Sequence, residues 1–493
     1  MTRTGTSYLD ALRDGRHVVI DGETVKDLTS HPAFARSARA FARLYDVALE
    51  EPEVMTFPSP ATGEPVNMSF LVPTTQADLV ARRRAMRRWA TESYGFLGRT
   101  PDHVASLLTG LAAAPEVLAR GAPELAANAT RVHAEARDRD LYLSYVIINP
   151  QNDKSQPSSR QEEPFLHAGI AEERDGGFVI RGAKMIGTSA VFSDLLFVST
   201  IQPMSSEDEA YAFSCVVPIN AAGLKLYSRR SYEANATSTY DHPLSSRFDE
   251  NDCLVVFDDV FVPWENTFVY RDVELTAAQF FATPAHVYIN TQAQIRCWTK
   301  LEFLAGIAQR VARTNQTLKD PLVADILGRL AASVAMIEAG VLATEVACEP
   351  LLGGAVRPNA RLMYATMATA GQTYAGAIEA LRTLCGGGVI QVPSSVADLL
   401  ADEPGEDFRR YVRSPGAPAE QRISLFKLAW DVIGSEFAGR HQQYELFYSG
   451  GPFVARAYAN RNFDWARGEQ LVDRCLAETA FDARAEPADA SGP

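Results

Sequence analysis

The chain has 493 residues, 46% of them hydrophobic and 22% charged, ordinary globular values with room for two or three domains and a large core. A formal net charge of −14 argues against non-specific nucleic-acid binding and against an anionic membrane surface. The six cysteines (Cys215, Cys253, Cys297, Cys348, Cys385, Cys475) form no C-x-x-C or Cys/His cluster, so no zinc or iron–sulfur site is expected; buried free thiols in a reducing cytoplasm are the plain reading. The opening MTRTGTSYLDALRDGR shows no apolar signal-peptide core, and the apolar stretch Ala331–Cys348 is interrupted by Glu338 and Glu345, so no membrane span is expected.

Residues 1–144 read as a mostly helical domain. Phe34, Ala38, Phe41 and Tyr45 recur at helical spacing behind Pro32, which a first turn tolerates. A second helix is expected from about Gln76 to Ser93, with Leu79, Met86, Trp89 and Ala90 on one side. Its arginines Arg82, Arg83, Arg84, Arg87 and Arg88 read as a solvated face or, more sharply, as a pocket for a phosphate-bearing ligand. The helix gives way to YGFLGRTPDH (Tyr94–His103), a Gly- and Pro-rich turn that brings Arg99, Asp102 and His103 together before the next helix. On residues alone this is either a helix cap with an incidental histidine or part of a site.

From 145 to 272 the character changes to β. Short apolar runs (Phe165–Ile170, Phe178–Ile180, Leu195–Ser199, Ala212–Val217, Leu224–Tyr227) are separated by Gly, Asp, Pro and Asn, as in a small barrel or sandwich. Asp175-Gly176-Gly177 reads as a hairpin turn. Gln151–Lys154 is a polar loop, and Gly182–Thr188 a strand edge ending in a hydroxyl. In YDHPLSSRFDENDCLVVFDDVFVPWENTFVYRD (Tyr240–Asp272) a strand alternates through Cys253–Phe257, turns at Asp258-Asp259 and resumes at Val260–Pro263.

Residues 273–480 read as a helical bundle, with one long helix through Arg296 and Lys300 and others over Pro321–Val346, Ala360–Thr383 and Ala419–Ala438. Apolar character all round Ala331–Ala347 and Met363–Ala380 points to burial between subunits as well as within one. Gly386-Gly387-Gly388 is a helix C-cap or a close approach to a dinucleotide. Arg440, His441 and Tyr448–Pro452 form a last polar cluster, and 481–493 reads as a disordered tail. No G-x-G-x-x-G follows a strand and no P-loop is present, so no nicotinamide site is visible.

The Tyr240–Asp272 stretch resembles, almost end to end, the signature of the two-component flavin-dependent phenol hydroxylases of the 4-hydroxyphenylacetate 3-monooxygenase oxygenase family. YLDALRDGRHVVIDGETVKDLTSHPAF, SYGFLGRTPD, IGSEFAGRHQQYELFYSGG and VDRCLAE extend the likeness from Tyr8 to Glu478. The resemblance implies an α+β, acyl-CoA dehydrogenase-like fold: helical N-terminal domain, β-barrel or sandwich middle domain, C-terminal bundle. It implies a homodimer or homotetramer that takes reduced FAD (FADH2) from a separate NAD(P)H-dependent reductase. With O2, through a C4a-hydroperoxyflavin, such an enzyme hydroxylates a phenol ortho to its hydroxyl. It places Arg99, His103 and Tyr145 in catalysis and Arg99, Thr100, Pro101, Asp102, His103, Ser199 and Thr200 around the substrate. It places Tyr145, Val146, Ile147, Gln151, Asn152, Asp153, Lys154, Thr188, Arg296, Tyr448, Ser449, Gly450 and Gly451 around the flavin. No metal is implied.

The family type usually carries tyrosine where His103 stands and histidine where Tyr145 stands, so the two groups are exchanged here. Both can donate and accept, but the proton inventory differs. A larger or differently substituted phenol than 4-hydroxyphenylacetate is therefore at least as well supported, with oxygen going to carbon or to nitrogen. An arginine beside a phenol oxygen favours the phenolate, the better ring nucleophile. The alternatives on the same scaffold are a dehydratase or dehydrogenase acting on a CoA thioester, and a non-catalytic flavin or aromatic-ligand binder.

Overall fold

The computed structural model describes residues 2–478; the expected tail from 481 lies outside them. The first 144 residues are not helical throughout, because His17–Ile20 (β1) pairs in parallel with Leu224–Ser228 and so belongs to the middle domain's sheet. That six-stranded sheet runs Glu23–Thr24, β1, Leu224–Ser228, Asp252–Pro263, Gly177–Thr188, Gly169–Arg174. A second, four-stranded sheet runs Thr267–Tyr270, Phe213–Pro218, Leu195–Val198, Leu143–Val146, the last labelled β2. Gly177–Thr188 (β3) is entered by a two-residue turn in which Gly176 holds φ +81°, as the hairpin reading requires.

Asp252–Pro263 (β4) is one continuous strand, and the expected Asp258-Asp259 turn is a bulge. Asp259 takes φ +57° and the pairing register slips between Phe257 and Val260. One extra residue reverses the inward face: Cys253, Val255 and Phe257 are buried before it, Val260 and Val262 after it.

Gln76–Glu92 (α1) and Pro101–Ala112 (α2) pack on Ala285–Thr314 (α3), the bundle's central helix. From Ala285 to Leu301 every residue of α3 except Thr291 is buried. Its polar side chains therefore face the interior and must find partners there. Pro321–Val346 (α4) has the expected bounds, set by Pro321 in the first turn and the Asp320 side chain capping Leu322 N–H. Ala360–Cys385 (α5) follows; of the three glycines after it only Gly386 has positive φ, and a Cβ on Gly388 would strike Phe426 of this same chain. Ala419–Ile433 (α6) stops before the expected Ala438 because Gly434 packs onto Trp430, and Ser435 then caps Glu436–Phe447 (α7).

Among the described residues α4 alone is long and apolar enough to cross a membrane by length and composition, contrary to the sequence expectation, since two glutamates in that length do not disqualify it. That is weak evidence for a span. Leu322, Met336 and Val346 on it are exposed.

Candidate active site

The site is built on the loop between α1 and α2, whose backbone is held at almost every polar group. Glu250 Oε1 accepts from the N–H groups of Gly98 (2.5 Å) and Arg99 (2.7 Å). The Tyr448 hydroxyl donates to the Gly98 carbonyl at 2.8 Å, and the Tyr142 hydroxyl donates to the Arg99 carbonyl. A Cβ on Gly98 would lie 2.2 Å from the Tyr444 hydroxyl, so the position admits no side chain without displacing that ring. Thr100 and Pro101 then start α2.

Arg99 reaches from this loop into an aromatic group. Its guanidinium carbon lies 3.9 Å from the Tyr448 ring centroid and 5.1 Å from that of Tyr145, and it donates to the Tyr448 carbonyl at 3.1 Å. The His103 ring stands 5.3 Å from Tyr145 and 5.9 Å from Tyr448. Arg99 Nη1 lies 2.9 Å from His103 Nε2. Since a guanidinium only donates, Nε2 is the bare nitrogen and Nδ1 carries the proton, which it donates to Gln292 Oε1 at 3.0 Å. Burial and the neighbouring Arg99 hold the imidazole well below its usual pKa, so His103 is neutral.

Behind Tyr448 lies a layer of buried charge. Glu445 accepts from Arg296 at 2.6 and 2.7 Å and from Lys300 at 2.9 Å, and Lys300 Nζ meets His441 Nδ1 at 3.0 Å. Burial works against the Glu445 carboxylate, but Arg296 and Lys300 outweigh it and hold it at about 2. Burial brings Lys300 down to about 8 against the pull of Glu445. Arg440 pairs with Glu250 and Asp252, tying the loop's anchor to β4.

The structure brings Arg99, His103, Tyr145, Arg296 and Tyr448 into one cluster. Thr188 joins it at one remove, its carbonyl accepting from Ser144 on β2 and its hydroxyl donating to Asp252. Ser449 donates to Asn290 on α3, and Gly450 takes φ +93° before Gly451 opens the next helix. Val146 and Ile147 are buried, their carbonyls accepting from Ser199 and Ile201. Gln151, Asn152, Asp153 and Lys154 form an exposed loop with no hydrogen bond to the cluster. The Ser199 and Thr200 hydroxyls turn inward, to Phe213, Gln279 and Lys184, rather than to Arg99. Asp102 is buried beside Gln292 and Thr100 with Oδ2 unpartnered, and burial raises it to about 6.

Gln292, Gln294, Tyr444, Glu445 and Glu250 are the functional residues that sequence reading missed. Gln292, Arg296 and Lys300 recur every four residues on α3, a polar stripe on an otherwise apolar helix, and that was the available signal. Four of the five arginines of α1 are committed elsewhere, and Arg84 is exposed. Arg82 is buried against backbone carbonyls, Arg83 pairs with Glu345, Arg87 with Glu302, and Arg88 with Glu51 and Glu92.

On the outer side of the cluster Gln294, Arg296, Tyr448, Ser449 and Gly450 line one cleft. Gln294 Oε1 and Arg296 Nε are buried there without partners, an acceptor and a cationic donor that suit the amide edge or phosphates of a flavin. The fold and cluster thus define an acyl-CoA dehydrogenase-like α+β scaffold that sets a buried arginine, a histidine and two tyrosines beside a polar cleft.

Comparison with known proteins narrows this. The family models for the N- and C-terminal parts of 4-hydroxyphenylacetate 3-hydroxylase match residues 4–269 and 276–477. The chain belongs to the 4-hydroxyphenylacetate 3-hydroxylase family. It is 36% identical over 487 residues to the pyoverdin chromophore biosynthetic protein PvcC of Pseudomonas aeruginosa, covering 96% of this chain and 95% of that one. It is also 36% identical, over 91% of this chain and 85% of the other, to a Streptomyces globisporus monooxygenase named for an amino(chlorohydroxyphenyl)propanoyl group on a peptidyl-carrier protein. The oxygenase component of 4-hydroxyphenylacetate 3-monooxygenase, solved with FAD and 4-hydroxyphenylacetate, superposes with a TM-score of 0.92 at 29% identity, covering 97% of this chain and 99% of that one. An archaeal 4-hydroxybutyryl-CoA dehydratase from N. maritimus shares the fold (TM-score 0.89, 20% identity, 100% and 98% of the two chains), and the likeness is one of fold alone.

Proposed function

We propose that the chain is the oxygenase of a two-component system that uses reduced FAD and O2 to hydroxylate a phenolic substrate ortho to its hydroxyl. The observation that carries this is the Arg99–His103–Tyr145 cluster, in which a permanent cation and a neutral imidazole are packed together against the Tyr145 ring. The flavin supplies the oxygen chemistry; Gln294, Arg296 and the Tyr448–Gly451 turn are the residues that would hold it. Arg99 donates to the phenol oxygen and stabilises the charge that gathers there. His103 Nε2 exchanges its bond from Arg99 for the phenol's hydrogen bond and receives the phenol's proton as the ring becomes a nucleophile. Tyr145 closes the ring's other side, and the buried Glu445 layer keeps Arg296 and Tyr448 in place.

A separate NAD(P)H-dependent reductase supplies the reduced FAD, a reading supported by the likeness to an enzyme named as the oxygenase component of a monooxygenase. The exposed apolar face of α4 supports assembly as a homodimer or homotetramer, and the buried thiols of Cys215, Cys253, Cys297 and Cys385 support a cytoplasmic setting, while Cys475 is exposed rather than buried. PvcC and the carrier-protein monooxygenase, together with the His103/Tyr145 exchange, support a substituted phenol other than 4-hydroxyphenylacetate.

The test is to mix the protein with photoreduced FAD, add oxygenated buffer and a panel of para-substituted phenols, and assay ring-hydroxylated product and H2O2. Product from at least one phenol, absent without protein, is expected. Reoxidation of FAD at the protein-free rate with no product from any phenol overturns the proposal.

A further inference from the structure

We infer that Gln292 is a positioning residue that fixes His103 as a pure hydrogen-bond acceptor, and that the site thereby selects rings bearing a donor hydroxyl over their aryl ethers. The inference rests on the function proposed above and goes a step further, to what the pocket demands of its ligand.

Three links set the imidazole. Gln292 Nε2 donates to Asp102 Oδ1 at 3.1 Å and to Thr100 Oγ1 at 3.2 Å. The Thr100 hydroxyl spends its own proton on Asp102 Oδ1 at 2.6 Å, which leaves its oxygen free to accept. These contacts orient the amide, because the flipped form would set its carbonyl against the Asp102 carboxyl and its NH2 against His103 Nδ1–H. The amide oxygen then receives Nδ1–H at 3.0 Å, and Nε2 is left bare toward Arg99. Asp102, Gln292 and His103 are each at least 98% buried, so water does not rescue a wrong orientation.

The groups facing His103 are Arg99 from the loop, Arg296 from α3, the ring of Tyr145 on β2, the hydroxyl of Tyr448 after α7, and Asp102 through the amide. The charges that act on the ring directly are cations, so imidazolium is disfavoured and the tautomer alone decides what a ligand meets. Arg99 Nη1 now fills Nε2. A phenol that takes this N–H for its oxygen gives Nε2 its own proton in return, whereas an aryl ether that takes it leaves Nε2 unpaired.

The experiment measures binding of 4-methylphenol and 4-methylanisole by calorimetry to the full chain with FAD present, for wild type, Gln292→Glu and Gln292→Leu. Wild type is expected to favour the phenol by at least about tenfold. Gln292→Glu keeps an acceptor for Nδ1–H in either protonation state and retains the preference within about threefold. Gln292→Leu removes the acceptor, lets the ring turn, and loses most of the preference. A packing role predicts the reverse order, with leucine tolerated and a second carboxyl beside Asp102 harmful. Equal effects in both variants, or a preference that survives in Gln292→Leu, overturn the inference while phenol binding still supports the proposed function. Failure of wild type to bind the phenol overturns both.

Discussion

Replacing Glu445 with leucine leaves Arg296 and Lys300 in the bundle interior with no counter-charge. The three side chains are at most 3% exposed and Glu445 accepts three of their hydrogen bonds, so solvent screening does little. Removing one partner of a buried pair costs about 3–5 kcal/mol. The carboxyl's shift from 4.5 to about 2 gives an independent figure of roughly 3 kcal/mol. Lys300, already down to about 8, can shed its proton once Glu445 is gone, which places the expected loss near the lower end, about 3 kcal/mol. Urea titration of wild type, Glu445→Leu and Glu445→Gln at pH 7 measures it, the glutamine separating charge from shape. A carboxyl whose pKa is lower in the folded state contributes stability that is complete above its ordinary 4.5 and fades as pH falls toward about 2. The gap between wild type and Glu445→Gln should therefore narrow from pH 5 to pH 3. A loss below about 1 kcal/mol at pH 7, or a gap that holds constant on acidification, refutes the reasoning.

His103→Ala should still consume reduced FAD and O2 while product falls and H2O2 rises; a product-to-peroxide ratio equal to wild type removes the role assigned to Nε2. Gly98→Ala forces a Cβ to 2.2 Å from the Tyr444 hydroxyl and shifts the Arg99 loop, so hydroxylation should drop at least about tenfold while far-UV circular dichroism is unchanged. Lys184 is buried with only Asn149 and Thr200 as partners, and burial lowers it from 10.5 to about 7. The unfolded chain thus binds more protons between those values, and stability should climb by up to about 3 kcal/mol from pH 7 to 9. Lys184→Met should flatten that climb; the same slope in the variant would assign it to other groups.

Local chemistry made the elements legible. Asp320-Pro321 announces α4 to the residue, and Asp175-Gly176 announces the hairpin into β3. Where one local signal has two structural outcomes, the sequence expectation missed. Asp258-Asp259 serves a turn or a bulge equally well, and pairing with Ala183–Ile180 on β3 decides for the bulge. The arginines of α1 form a charged face by spacing, yet Arg82 is buried and Arg83, Arg87 and Arg88 meet acids from elsewhere in the chain or one turn along their own helix. The same limit hides the site's supports. Arg99 and His103 lie four residues apart and are visible together, whereas His103 meets Gln292 across 189 residues and Arg296 meets Glu445 across 149. Spacing shows that α3 carries a polar stripe; it does not show which distant side chain completes each group.

The exchange of His103 and Tyr145 relative to the family type follows the same logic from the pocket outward. A tyrosine at 103 would offer the ligand a hydroxyl able to give or to take. The histidine there has lost that freedom, since Nδ1 is committed to Gln292 as a donor and Nε2 is left an acceptor, filled by Arg99 until a phenol displaces that bond. Donation to the ligand then falls to Arg99 and to the hydroxyl of Tyr145, a half-buried residue of β2 whose ring centroid lies 5.3 Å from that of the imidazole. The proton that leaves a phenol has a defined destination at Nε2, but Arg99 and Arg296 make that imidazolium costly to keep. A ring whose substituents already lower its hydroxyl pKa hands that proton over at less cost. The exchange therefore favours electron-poor phenols over simple alkyl ones, the opposite of what ring nucleophilicity alone would choose. Rates across a series of para substituents should accordingly pass through a maximum, and a monotonic rise with electron donation would show that Nε2 takes no part in the transfer.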